Sequence, residues 1–309
     1  MMFTPVERCW VCGGGTLTPF HECRMDFQAY DTQDPELAAY TGQKVWIARC
    51  AECGFGQPER MPTLPRFFDR MYDQRWAADW VESEFDARAK DFIFHTILKE
   101  LAARTSSKRL LDVGAHAGRF MHLAQQQGWA VEGVELNRRT AACAARRTGA
   151  PVHHVNAHTL AAEGHRYGAV TLTDVLEHIP EPVRLLESLS QLVEPGGWIA
   201  VKVPCGPSQW TKERTLAALT SHEVSLAGNL VHVNHFSPRS LKLALERAGF
   251  ADVAVHTGAP ELLPLGPGFM RPAVSNAVRL AVYAAGSMPG AVATPFALNL
   301  QAYGRHASS

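Results

Sequence analysis

Two pairs of closely spaced cysteines indicate metal binding near the N-terminal end of the chain. Cys9-Trp10-Val11-Cys12-Gly13 and Cys50-Ala51-Glu52-Cys53-Gly54 share one spacing, so each can place two thiolates on a tight turn. Four thiolates form a tetrahedral set that suits Zn2+. A catalytic zinc keeps one coordination position open, whereas four cysteines leave none. The pattern therefore predicts a structural zinc site rather than a catalytic metal or a redox pair, with Cys9, Cys12, Cys50 and Cys53 as its ligands.

A glycine-rich turn between a short apolar strand and a helix indicates a nucleoside-type ligand. The dinucleotide-binding pattern needs glycine at its first, third and sixth positions, which here are Gly114, His116 and Arg119, so it fails twice. A second pattern, acidic-x-Gly-x-Gly-x-Gly, is met at Asp112, Gly114 and Gly118 and is missed only at His116. The turn therefore argues against a nicotinamide dinucleotide as the ligand.

Polar side chains end the next predicted strands. Glu135 ends the second strand, 21 residues after Gly114. A carboxylate at that place can accept hydrogen bonds from both ribose hydroxyls of a nucleoside, because neighbouring parallel strands end level with each other. Asn156-Ala157 follows the third strand, where an adenine-contacting side chain is expected, and Asp174 follows the fourth.

Three histidines are candidates for proton transfer, since imidazole can accept a proton near neutral pH. His178 follows the fourth predicted strand, and His232 and His235 precede Ser237-Pro238, a helix N-cap followed by proline. Tyr72 lies in an amphipathic helical segment. Two interpretations of Tyr72 stay open: it belongs to a core stripe, or it lines the substrate site.

The elements that position these residues alternate between strands and helices. This order predicts a doubly wound α/β sheet with mainly parallel strands. Residues 296–301 alternate between apolar and polar side chains and predict a final antiparallel strand, which would complete a seven-stranded sheet. Ahead of the sheet, apolar residues recur at spacings of three and four between residues 67 and 101, which predicts amphipathic helices.

Four segments follow from this pattern. We expect a zinc-binding module at residues 1–60, a helical bridge that roofs the pocket at 61–105, the ligand-binding core at 106–257, and an insertion with the final strand at 258–309. The insertion is expected to act as a lid or as a dimer contact. Residues 14–44 are predicted to be irregular, with a short strand at Val45 to Arg49. Pro58 to Pro65 is rich in proline and is interpreted as a linker.

Composition narrows the classes of partner. The 309 residues contain 30 Lys plus Arg and 30 Asp plus Glu, so the chain as a whole offers no net attraction to nucleic acid or to an anionic membrane. A small-molecule substrate is therefore expected, with a homodimer left open. We expect a cytoplasmic protein, because no signal-peptide pattern is found. The apolar segment Ala273 to Val292 is interrupted by polar residues, proline and glycine, which argues against a membrane span.

Four segments together resemble the class I S-adenosylmethionine-dependent methyltransferases. Leu110 to Phe120, Val131 to Asn137, Thr173 to Ile179 and Leu192 to Pro204 look like this family's motifs I, II, IV and post-IV. The resemblance covers roughly residues 107–255. With the cysteine knuckles in front and the histidine loop behind, the chain is similar to a zinc-containing subgroup that includes deoxysugar C-methyltransferases.

The resemblance implies methyl transfer from S-adenosylmethionine to a small-molecule acceptor, by in-line displacement with a histidine as general base. It implies cofactor contacts at Asp112, Gly114, His116, Gly118, Phe120, Glu135, Leu136, Asn156, Ala157 and Asp174, and catalytic roles for His178, His232, His235 and Tyr72. Two alternatives stay open. One is an NAD(P)-dependent oxidoreductase, and the other is a non-catalytic zinc-ribbon adaptor on a methyltransferase-like scaffold.

Overall fold

The computed structural model describes residues 2–75, 78–155, 157–221, 224–265 and 270–307. The strands in these ranges are β1 (Phe3–Pro5), β2 (Leu17–Arg24), β3 (Lys44–Cys50), β4 (Gly56–Pro58), β5 (Arg60–Pro62), β6 (Arg109–Val113), β7 (Ala130–Val134), β8 (Val152–His153), β9 (Tyr167–Thr173), β10 (Val193–Pro204), β11 (Phe250–Thr257) and β12 (Asn299–His306).

The helices are α1 (Pro35–Ala38), α2 (Phe67–Arg75), α3 (Ala78–Asp86), α4 (Asp91–Arg104), α5 (Arg119–Gln126), α6 (Arg138–Thr148), α7 (Ala157–Ala162), α8 (Pro182–Ser190), α9 (Gly206–Leu219), α10 (Pro238–Arg247) and α11 (Met270–Gly286). Among the described residues, no helix is long and apolar enough to cross a membrane.

The central sheet orders its strands as β11-β12-β10-β9-β6-β7-β8. Strands β6 to β10 run parallel to one another, and β12 runs antiparallel to both β10 and β11. The mainly parallel α/β architecture predicted from the sequence is confirmed. Since parallel strands end at one edge, the carboxyl ends of β6, β7 and β9 bring their following loops together.

Helices cover both faces of this sheet because successive residues of a strand point to opposite sides. On β6, Leu110 packs with side chains of α4 and α5, whereas Leu111 packs with side chains of α7, α8 and α10. All of these side chains belong to two large buried clusters, one on each face. The sheet therefore has an apolar core on both sides, as its apolar strands require.

The final strand differs from the prediction. It begins at Asn299 and not at Phe296, which is 52% exposed and lies in a turn ahead of the strand. β12 sits between β10 and β11, so its residues from Leu300 to Tyr303 are buried on both faces of the sheet. A strand buried on both faces does not alternate in polarity, which is why the alternation at residues 296–301 placed it too early.

Two small sheets form the N-terminal module and correct two predictions. The segment predicted to be irregular contains β2, which pairs antiparallel with β3, and β3 pairs with β4. Most side chains of β2 are partly or fully exposed, so its sequence carries no clear alternation. The segment interpreted as a linker contributes the end of β4 and all of β5, which pairs with β1. Pro58 and Pro62 stand on short edge strands, where proline is tolerated.

The N-terminal module is attached to the chain around α10, through contacts that we call the junction. The backbones of Gly56 and His235 exchange hydrogen bonds of 3.0 and 2.9 Å. The Arg247 side chain donates to the carbonyl of Val11 at 2.9 Å. The module therefore holds the segment that leads into α10, and this segment carries two of the predicted catalytic histidines.

Candidate functional site

The glycine turn after β6 brings backbone close to the carboxyl edge of the sheet. Gly114 has a φ of 78°, a conformation that favours glycine, and a Cβ at this position would lie 2.3 Å from Cγ2 of Val175. The amides of Gly114 and Ala115 both donate to the carbonyl of Val134, at 2.8 and 3.0 Å. Backbone conformation and space together require glycine at position 114.

Glu135 is held at the end of β7 by two backbone amides. Its carboxylate oxygens accept hydrogen bonds from the amides of His116 and Asn137, both at 2.8 Å. Burial raises the pKa of Glu135, and these two hydrogen bonds act against that rise. Because an ionised carboxylate has about four acceptor positions, the two bonds orient the group and leave positions for the two hydroxyls of a ribose.

A cavity of about 130 Å³ opens at this edge. The predicted cofactor residues Asp112, Gly114, His116 and Phe120 all line it. Burial raises the pKa of Asp112 to about 7, while its carboxylate accepts a hydrogen bond from the hydroxyl of Thr171 at 2.9 Å. Small-molecule pockets usually enclose roughly 300–1,000 Å³, so this cavity has to widen to admit a nucleoside cofactor.

Lys90 lines the cavity. Its ammonium group lies 2.8 Å from one carboxylate oxygen of Asp174 and 3.8 Å from Glu261, and Lys202 contacts the other oxygen of Asp174. Burial acts to raise the pKa of Asp174, but Lys202 and Lys90 hold it well below its ordinary value. Burial, and then the charge of Lys90, lower the pKa of His116 to about 4, so its imidazole is neutral at pH 7.

The other predicted cofactor residues lie around this cavity in different environments. Gly118, at the start of α5, faces α6, since a Cβ there would lie 2.9 Å from Cα of Ala144. Leu136 is 53% exposed, and Ala157 is buried in the core at the start of α7. Asn156 lies outside the described residues. The structure thus groups Asp112, Gly114, His116, Phe120 and Asp174, with Glu135 hydrogen-bonded to the same turn.

His178 and Tyr72 meet beside this edge. The hydroxyl of Tyr72 is 2.8 Å from Nδ1 of His178, and the carbonyl of Val231 lies 2.6 Å from the same nitrogen and 3.1 Å from the hydroxyl. A carbonyl oxygen only accepts, so Nδ1 carries the proton in neutral His178 and Nε2 holds the lone pair. The ring of His232 follows at a centroid distance of 4.9 Å. Tyr72 therefore contacts the predicted catalytic group and does not serve only as core.

Among the described residues, buried polar atoms without hydrogen-bond partners gather near His178, at the carboxyl edge of the sheet. Glu177 is 2% exposed, and within the described part of the chain its Oε2 has no hydrogen-bond partner. The same holds for Oγ1 of Thr173 and Oδ1 of Asn234. Burying such atoms without partners costs free energy, so they mark a place where a ligand or water supplies the missing bonds.

Glu177 gives a pH-dependent prediction. Burial, and then the charge of Asp174, raise the pKa of its carboxyl from 4.5 to about 8. The native state thus binds a proton that the unfolded chain releases above about pH 4.5. The contribution of Glu177 to the free energy of unfolding is therefore fully present below that pH and is lost as the pH rises through about 8.

A Glu177→Gln variant, which mimics the protonated acid, should melt a few degrees above the native protein at pH 9 and within about 1 °C of it at pH 4.5. Differential scanning fluorimetry at the two pH values measures this difference. Glu187→Gln on the exposed side of α8 is the matched control and should shift neither melting temperature. An equal shift at both pH values would contradict the raised pKa.

His235 is placed differently from the other two histidines. It is 5% exposed, its ring lies 5.2 Å from that of Trp210, and its backbone forms the bridge to Gly56. Burial, and then the charges of His232 and His21, lower its pKa to about 3. The structure thus places His235 in the junction and leaves His178 and His232 as the histidines that face each other.

Sequence reasoning missed three charged residues of the site. Glu177 stands next to His178 in the quoted motif, and Lys90 immediately precedes α4. Lys202 offered a usable signal, because a lysine inside the apolar strand Trp198 to Val203 has to find a buried partner. Its partner, Asp174, was already a candidate.

The four predicted zinc ligands form one cluster. The sulfurs of Cys9 and Cys53 are 3.6 Å apart and those of Cys12 and Cys50 are 3.4 Å apart, and all four lie within 4.8 Å of one another. A disulfide would place two sulfurs about 2.05 Å apart, whereas tetrahedral Zn–S bonds of about 2.3 Å place them about 3.8 Å apart. The sulfur spacing fits a metal site and not a disulfide.

Comparison with known proteins gives the family. A family model described as a methyltransferase domain matches residues 85–255, which is more than half of the chain. A ubiquinone biosynthesis O-methyltransferase of Leptothrix cholodnii is 31% identical over 109 residues, covering 33% of this chain and 46% of that protein. One from Nitrosospira multiformis is 33% identical over 103 residues, covering 31% and 43%. The chain thus matches somewhat under half of the length of these relatives.

A solved structure, the complex between the Haloferax volcanii Trm112 methyltransferase activator and a methyltransferase, aligns with a TM-score of 0.52 at 15% identity. It covers 74% of this chain and 97% of that chain, and at this identity it shows a shared fold. The matched residues 85–255 include the glycine turn, Glu135 and the Asp174 to His178 segment. The chain belongs to the methyltransferase domain family and has the class I fold of its S-adenosylmethionine-dependent members.

Proposed function

We propose that the protein transfers a methyl group from S-adenosylmethionine to a hydroxyl oxygen of a small molecule, with His178 as the general base. The observation that carries this proposal is the 2.6 Å contact between Nδ1 of His178 and the carbonyl of Val231, because it leaves Nε2 as the proton acceptor. An oxygen acceptor is in keeping with the O-methyltransferase names of the relatives.

The residues around the cavity fit the cofactor. Glu135 would accept the ribose hydroxyls, and the turn at Gly114 would let the backbone approach the nucleoside. Lys90 would exchange its contact with Asp174 or Glu261 for the cofactor's carboxylate, which widens the cavity. When bound, the cofactor supplies a methyl group on a sulfonium. The protein's task is to align the acceptor oxygen with that methyl group and to take up the acceptor's proton.

His178 is oriented for proton uptake by two neighbours. Val231 fixes which ring nitrogen carries the proton, and the hydroxyl of Tyr72 also contacts that side of the ring. One ligand atom each of Glu177, His178 and His232 lies within 4.8 Å of the others, so a positive charge on His178 would favour release of the proton that Glu177 binds. The same three side chains have a composition that divalent cations also use, so activity should be assayed with and without added Mg2+.

The four-cysteine cluster is proposed to hold one structural zinc ion. The spacing of the four sulfur atoms and the burial of Cys9, Cys50 and Cys53 support this proposal. Zinc at this place would keep both knuckles together and so would hold the junction in position.

The test of the proposed activity is a labelled-methyl assay. The purified protein is incubated with methyl-labelled S-adenosylmethionine and pools of phenolic, sugar and amine acceptors, and the products are identified by mass spectrometry. Label in a methyl ether supports the proposal. Label only in a C-methyl or N-methyl product would overturn the oxygen acceptor, and binding of NADH in place of S-adenosylmethionine would overturn the methyltransferase assignment.

A His178→Gln variant should lower kcat about 100-fold or more, because general-base catalysis contributes about 10²–10⁴ in rate. Its affinity for S-adenosylmethionine should stay within about twofold of the native value, since no cofactor contact is assigned to this ring. His95→Gln on the exposed side of α4 is the matched control and should keep full activity. Native kcat in the His178 variant would rule out its role as base.

A further inference from the structure

The first part of helix α11, residues 270–279, turns polar side chains toward the protein and apolar ones toward solvent, whereas Tyr283 further along packs on Phe92. Asn276 exchanges hydrogen bonds of 2.8 and 2.9 Å with the backbone of Leu263, and Arg279 donates to the carbonyl of Glu261 at 2.8 Å. On the opposite side, Met270, Val274 and Val278 stand four residues apart and are 72%, 65% and 58% exposed. A surface helix usually buries its apolar face, so this arrangement is the reverse of the ordinary one.

Other exposed apolar side chains lie next to this helix. Leu265 precedes it, and Met288 and Phe296 follow it, each more than half exposed. Eight of the thirteen large apolar side chains that are exposed in the described part of the chain fall between residues 263 and 296. We call this set the outward face. Contiguous exposed apolar surface marks an interaction site, whereas single exposed apolar residues are ordinary.

The charges around the outward face are mostly positive, and Glu261, just before it, has its carboxylate 3.8 Å from Lys90. Residues 262–309 contain three arginines and no aspartate or glutamate. Arg305 pairs with Asp252, and Arg279 is hydrogen-bonded to backbone, whereas Arg271 is exposed beside Met270 on α11. The whole chain is neutral by count, so this segment is a local basic and apolar surface that the overall composition conceals.

This charge distribution distinguishes between two possible partners of the outward face, which are a second copy of the chain and an anionic lipid surface. In a twofold-symmetric contact the same patch meets itself, so the arginines of one copy would face a patch whose residues 262–309 contain no aspartate or glutamate. An anionic lipid surface offers both negative headgroups for arginine and hydrocarbon for the apolar side chains. Charge complementarity therefore favours the lipid surface.

We propose that the outward face docks the protein onto anionic phospholipid membranes as a peripheral contact. α11 would lie in the plane of the interface, with Met270, Val274 and Val278 inserted and Arg271 at the headgroups. Glu261, two residues before Leu263, lines the cofactor cavity, so docking would bring the membrane to the same edge of the sheet as the site. The expectation of no membrane partner rested on net charge and on the polar interruptions of Ala273 to Val292, and the proposed peripheral contact needs neither a net positive chain nor a membrane span.

The test is vesicle co-sedimentation of the full chain. The protein is mixed with vesicles of phosphatidylcholine alone or with added phosphatidylglycerol, at low and high salt. We expect sedimentation with the anionic vesicles, weaker binding at high salt, and little binding to phosphatidylcholine alone. Absence of sedimentation with anionic vesicles would overturn the proposal.

Two variants and one control assign the binding to this face. Met270→Gln, Val274→Gln and Val278→Gln combined, and separately Arg271→Glu, should each weaken partitioning about tenfold or more. The control combines Leu216→Gln and Leu219→Gln, exposed apolar residues on α9, and should bind as the native protein does. Size-exclusion chromatography with light scattering accompanies each sample. A native dimer that the triple variant converts to a monomer, with no loss of vesicle binding, would overturn the lipid assignment in favour of a second copy.

Discussion

A Cys50→Ala variant is expected to lose the proposed zinc ion, thermal stability and the proposed methyl transfer together. The native protein should carry about one zinc per chain by elemental analysis, and the variant essentially none, because three cysteines hold structural zinc far less tightly than four. Binding of a structural zinc contributes about 10–16 kcal/mol in small zinc domains. We therefore expect the melting temperature to fall by about 10 °C or more.

The loss of activity follows from the junction. Cys50 and Cys53 flank the turn that leads through Phe55 to Gly56, and Gly56 forms the backbone bridge to His235. Phe55 also packs on Phe236 with a ring-centroid distance of 5.0 Å. When the cysteine turn opens, the segment from Val231 to His235 loses its contact with the N-terminal module, and the carbonyl that orients His178 loses one of its supports. Activity should therefore fall even at temperatures where the variant stays folded.

Cys143→Ala is the matched control. Cys143 is buried on α6, away from the four-sulfur cluster, so its replacement should cost some stability but keep zinc and activity. Retention of stoichiometric zinc by Cys50→Ala would contradict the four-cysteine site. Loss of zinc with unchanged activity would leave the site in place and contradict the link through the junction.

A Glu135→Gln variant is expected to weaken binding of S-adenosylmethionine by about 100-fold or more. A hydrogen bond to a charged group contributes about 1.5–3 kcal/mol, and the variant would lose two such bonds to the ribose hydroxyls. Glutamine also places an amide nitrogen where one of the backbone amides of His116 and Asn137 now donates, so the side chain has to turn away. Isothermal titration calorimetry measures the affinity directly.

Glu132→Gln serves as the control because it changes the same strand without touching the turn. The Glu132 carboxylate contacts His153 at 2.7 Å and the hydroxyl of Tyr167 at 2.9 Å, so its replacement should affect stability and leave cofactor affinity within about twofold. If Glu135→Gln binds S-adenosylmethionine as tightly as the native protein does, the cofactor site is assigned to the wrong carboxylate.

Sequence patterns identified those parts of the protein that depend on local chemistry. The clustering of the four cysteines, the glycine turn at Gly114 and the position of Glu135 beside that turn could all be predicted, because each depends on a few neighbouring residues and on the level ends of parallel strands. Alternating strands and helices likewise gave the mainly parallel sheet. Errors occurred where local signals were weak, as in the exposed β2 and in β12, which is buried on both faces.

Tertiary structure alone decided which groups meet. Lys90 and Asp174 are 84 residues apart and Tyr72 and His178 are 106 apart, and no local pattern predicts such contacts. It also decided that His235 is buried in the junction while His178 has a defined tautomer, since both depend on backbone carbonyls and rings supplied by distant segments. Residue types and spacing determine what chemistry is available to this chain, whereas long-range packing determines pKa, tautomer and access, because these depend on what lies within a few ångströms in space.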